Sequence, residues 1–67
     1  MTTPKYPNIE VQLTGEDGNA MYIIGKVRRA LFKGGVPSEE STKFVEEAMS
    51  GDYTNVLATA MRWVTVH

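Results

Sequence analysis

At 67 residues and 7.4 kDa the chain has room for one hydrophobic core and no second domain. It contains no cysteine, which excludes a disulfide framework and every thiolate metal site, and its single histidine, His67, excludes an internal His-rich site. Seven Lys and Arg against eight Asp and Glu give a net charge of -1, which argues against an electrostatic grip on nucleic acid by the whole surface and leaves only a local basic patch.

In so short a chain, burial and the entropy of ordering nearly cancel. With disulfide and metal excluded, self-association is the remaining support, and a homodimer is expected. Residues 1–7 carry two prolines and no apolar run, so they read as an extended or flexible arm rather than a signal peptide or membrane anchor. No window approaches the roughly 18 apolar residues of a spanning helix. The expected location is cytoplasmic.

From Asn8 the pattern changes. Ile9, Val11 and Leu13 alternate with Glu10, Gln12 and Thr14, the period of a strand with one buried face. Gly15-Glu16-Asp17-Gly18-Asn19 then reads as a turn, with Asn19, or else Asp17, capping a helix over 20–33. Its core stripe is Ala20, Ile23, Ile24, Val27, Ala30 and Leu31, and Gly34-Gly35 supplies a left-handed stop.

Ser38 is the expected cap of a second helix whose first turn holds Glu39 and Glu40; its apolar face would be Phe44, Val45, Ala48 and Met49, with Gly51 ending it. Asp52 caps a third helix with the stripe Tyr53, Val56, Leu57, Ala60 and Met61. Trp63-Val64-Thr65-Val66 suits a short terminal strand, with Trp63 a core aromatic. The predicted fold is therefore a small α+β domain over 8–67, of order β-α-α-α-β, with its two terminal strands paired against a three-helix layer. A two-stranded sheet leaves open edges, which again suggests a dimer, with a sheet continuing between subunits as one arrangement.

Outside its core stripe the first helix has two further faces. Tyr22, Lys26, Arg29 and Lys33 form a basic stripe able to meet phosphates or an acidic partner, although a solvated face is the plainer reading. Met21, Gly25, Arg28 and Phe32 form the other. Gly25 inside a helix costs about 1 kcal/mol relative to alanine. This face suggests either deeper packing within the chain or an interface with a subunit or partner.

The four glutamates of the second helix, Glu39, Glu40, Glu46 and Glu47, have no apolar pocket to shift their protonation and read as a solvated face or a surface that steers a basic partner. The Gly15 to Asn19 turn lacks the spacing of a P-loop or an EF-hand. Hydroxyls are plentiful, but no G-x-S-x-G and no internal imidazole accompanies them. No catalytic, cofactor-binding or metal-binding set emerges. The chain is expected to be a non-enzymatic binding protein, with a nucleic-acid-associated role through the basic stripe as the alternative.

Gly15-Glu16-Asp17-Gly18-Asn19-Ala20, Gly25-Lys26-Val27-Arg28-Arg29-Ala30-Leu31, Glu47-Ala48-Met49-Ser50-Gly51-Asp52-Tyr53 and Ala60-Met61-Arg62-Trp63-Val64 follow one another in a distinctive order. The layout resembles that of a group of short bacterial and phage proteins of no established activity that share GxDGNA, a helix, SGDY and AMRWV, and it covers most of the chain from Asn8 onward. The resemblance implies a phage or mobile-element origin, where small proteins often act by binding, and the expected role is a phage or prophage accessory factor that binds a host protein. It carries over no functional residue.

Overall fold

The computed structural model describes residues 3–13 and 19–67. The elements follow in the order β1 (Tyr6–Val11), α1 (Ala20–Lys33), α2 (Ser38–Ala48), α3 (Tyr53–Trp63) and β2 (Val64–Val66). The two strands pair in parallel and the helices pack against them, giving a small α+β domain. The turn expected over 14–18, with the alternative cap Asp17, lies outside the described residues.

β1 keeps its alternation, with Val11 buried, Ile9 and Leu13 half-buried, and Glu10 and Gln12 exposed. It begins at Tyr6, two residues before the alternating pattern and inside the segment read as an arm. Two contacts account for this early start. The Tyr6 ring lies 6.0 Å from Trp63, and Lys5 donates its backbone N–H to the carbonyl of Arg62 at 2.9 Å. The register then slips between Tyr6 and Glu10, around Pro7, which has no N–H to give to a ladder. Its carbonyl instead accepts the Thr65 hydroxyl at 2.9 Å.

α1 occupies the range its periodicity predicts. The Asn19 side chain accepts the N–H groups of Met21 and Tyr22, satisfying two otherwise free donors. At the other end Gly35 takes φ +84°, with Gly35 N–H donating to the Phe32 carbonyl and Val36 N–H to that of Leu31. That pair of bonds and buried Val36 form a Schellman stop, which turns the chain at once into α2.

α2 starts without the expected cap. Ser38 is its first helical residue, and Pro37 stands in the cap position, where its ring has no acceptor for the free N–H groups and only its carbonyl takes the N–H groups of Glu40 and Ser41. The far end closes at Met49 rather than Gly51. Asn55, from the first turn of α3, donates its amide to the carbonyls of Glu47 and Ala48 at 2.9 and 3.2 Å. Gly51 serves that closure differently, since a Cβ there would sit 2.9 Å from the Asn55 Cβ.

α3 is capped by Asp52, whose carboxylate accepts Asn55 N–H at 3.0 Å. Its buried side is Val56, Thr59, Ala60 and Trp63, so the helix is rotated relative to the expected stripe. Tyr53 and Met61 are exposed, as is Met49 on α2, and Ser41 and Thr59 are buried in their place. Trp63 belongs to the helix and not to the strand; it is a core residue, edge-on to Phe44 at 5.7 Å.

Two of the glutamates read as solvated also have structural partners. Glu47 accepts the Trp63 indole N–H at 3.1 Å and faces Arg62 at 3.3 Å, while Glu40 pairs with Lys5 at 3.1 Å. Lys5 in turn stands 4.5 Å above the Trp63 ring. No helix among the described residues is long and apolar enough to cross a membrane.

Candidate functional site

Ile23, Ile24, Val27 and Leu31 turn the inner side of α1 into the core. Everything else on the helix is set by that choice. At 3.6 residues per turn, Met21, Gly25, Arg28 and Phe32 fall on one flank and Tyr22, Lys26 and Lys33 on the other, with Arg29 between them. Both sequence-derived groups are therefore brought to the surface together, as one continuous outer face.

The first flank borders α2. Gly25, Arg28, Arg29 and Phe32 line a shallow groove of about 430 Å³, whose opposite side is Ser38 and Ser41. Phe32 is 78% exposed and Met21 61%, so the chain's own core does not use them. Gly25 is the more telling residue. A Cβ built there meets no described atom within 4 Å, so no described neighbour requires a glycine. Among the described residues, deeper packing within the chain, one of the two explanations open from sequence, does not occur. Ser38 and Ser41 had no sequence signal for this placement, because it depends on how tightly the Schellman stop folds α2 back against α1.

The second flank borders β1. Lys26 donates its ammonium to the Gln12 carbonyl at 2.6 Å and lies 5.9 Å from the centre of the Tyr22 ring. It thus ties α1 to the strand. A smaller groove of about 280 Å³ runs beside it, bounded by Gln12, Lys26, Arg29 and Lys33 among others. The side chains of Arg28, Arg29 and Lys33 make no hydrogen bond or ion pair with any described residue.

The electrostatics are one-sided. α1 carries four of the seven Lys and Arg of the chain and no carboxylate, whereas α2 carries four glutamates and one lysine. Among the described residues no three His, Asp or Glu side chains gather where a metal ion would sit. The arrangement offers an apolar and aromatic centre, an open stretch of helix at Gly25, and cations along the rim. No protein-family model, no curated protein and no solved structure matches this chain.

Proposed function

We propose that the protein is a non-enzymatic binding protein whose outer α1 face docks on a partner protein, and that the partner surface places carboxylates around an apolar contact. The observation that carries this reading is the open space over Gly25. A mid-helix glycine costs about 1 kcal/mol relative to alanine, and no contact among the described residues offsets that cost. An approaching partner backbone or side chain would.

The flanking residues fit the same reading. Met, aromatic and Arg side chains are enriched at protein interfaces, and Met21, Tyr22, Arg28, Arg29 and Phe32 are of these types. The resemblance to short bacterial and phage proteins makes a host protein the first partner class to test. A nucleic acid is the second reading, favoured by Arg28, Arg29 and Lys33, whose side chains make no hydrogen bond or ion pair with any described residue.

One capture experiment separates the two readings. Immobilised wild-type protein, Phe32→Asp and the double variant Lys26→Ala/Arg29→Ala are each exposed to bacterial lysate, with and without nuclease, at about 50 and about 300 mM salt. A protein partner survives nuclease, resists salt and is lost with Phe32→Asp. Nucleic acid disappears with nuclease, falls steeply with salt and depends on Lys26 and Arg29. Capture that none of these changes would contradict both.

A further inference from the structure

A second surface lies on α3, and none of its residues lines the grooves on α1. Tyr53, Leu57 and Met61 recur every four residues and so form one ridge along the helix. Tyr53 is 41% exposed and Met61 62%, while Leu57 is half-buried between them. Thr54 and Ala58 fill the positions alongside. The whole face carries no Lys, Arg, Asp or Glu, in a chain of which 22% of residues are charged.

We propose that this ridge is the contact between two copies of the chain, with the two α3 helices antiparallel across a two-fold axis at Leu57. Three observations select a second copy as the occupant. The ridge has no charge, so two identical faces meet without repulsion, whereas pairing α1 with α1 would set four cations against four. Its spacing is symmetric, because Leu57 lies four residues from both Tyr53 and Met61. A two-fold axis through Leu57 therefore sets each Tyr53 ring on the Met61 thioether of the partner, a favourable sulfur–aromatic pairing. Antiparallel packing also places the positive end of each helix dipole beside the negative end of the other.

A helix of 11 residues is about 16 Å long. A contact of that length buries less than the roughly 1,200 Å² of a standard interface. The dimer is therefore weak and transient, so it is read at high protein concentration.

Sedimentation equilibrium and NMR from about 20 μM to about 1 mM would read it directly. The expected result is a monomer–dimer equilibrium with concentration-dependent shifts confined to α3, weakened at least about tenfold by Met61→Glu and within about threefold of wild type for Met61→Leu, with little response to salt. A chain that stays monomeric at about 1 mM overturns the proposal. Orientation is tested by cross-linking, since the wild-type chain has no thiol of its own. Mixing Tyr53→Cys protein with Met61→Cys protein should give a mixed disulfide, and each variant alone should give far less. Equal or greater cross-linking of the single variants, or none in the mixture, overturns the antiparallel arrangement even if Met61→Glu fails to fold.

Discussion

Gly25 stands on the exposed face of α1. Its neighbours Ile24 and Lys26 are ordinary helix residues, and the position lies in the middle of a well-capped helix. Replacing it by alanine meets no steric opposition, so Gly25→Ala should raise stability by about 1 kcal/mol. Thermal melts should move up by about 4–8 °C. A lower melting temperature would mean that the glycine serves the fold after all. Phe32→Ser, on the same face, should leave stability within about 0.5 kcal/mol of wild type, because a side chain 78% exposed has little packing to lose.

Among the elements, α1 was the most legible, since its cap, its apolar period and its glycine stop all agree. α3 was not. Apolar and small residues lie nearly all round it, so two stripes, Tyr53-Leu57-Met61 and Val56-Ala60-Trp63, competed for the core. Assigning Trp63 to the strand removed from the helix the residue whose bulk decides the phase. The end of α2 was misplaced for a related reason, because its carbonyls are closed by a side chain from the next helix and not by a backbone turn at Gly51. Asn55→Ala should therefore cost about 1 kcal/mol, read as a lower urea midpoint, by taking the amide donor from the Ala48 carbonyl, while the Glu47 carbonyl keeps the Ser50 N–H and hydroxyl. An unchanged midpoint would show that solvent replaces the amide at no cost.

On the scale of the whole molecule, one aromatic joins the two ends of the chain. Trp63 packs on Phe44 and Tyr6, bonds Glu47 and lies beneath Lys5, so the N-terminal segment, α2 and α3 all meet on it. Trp63→Ala should cost about 3–5 kcal/mol, comparable with the whole stability of a domain this size, and leave the chain largely unfolded by circular dichroism. Lys5→Ala, which removes two cation–π contacts, to Trp63 and Tyr6, and one half-exposed ion pair, should cost less than about 1 kcal/mol. Fold class, the order of the elements and the two outer groups on α1 were readable in the sequence because each rests on local periodicity, whereas the early start of β1 at Tyr6 and the place of Trp63 in α3 depend on contacts between the chain ends. The α1/α2 groove, the rotation of α3 and the role of Glu47 were not, because each depends on residues far apart in the chain.

That molecule presents a basic, aromatic helix face around a glycine that no described neighbour requires, and we propose that a partner requires it. Gly25→Leu tests this most directly, because leucine extends into open space, favours the helix and occupies the site where the partner would approach. Thermal melting and lysate capture should be measured on the same preparation. The account predicts a melting temperature at or above wild type together with at least about a tenfold loss of captured partner. Equal stability with capture undiminished would contradict it.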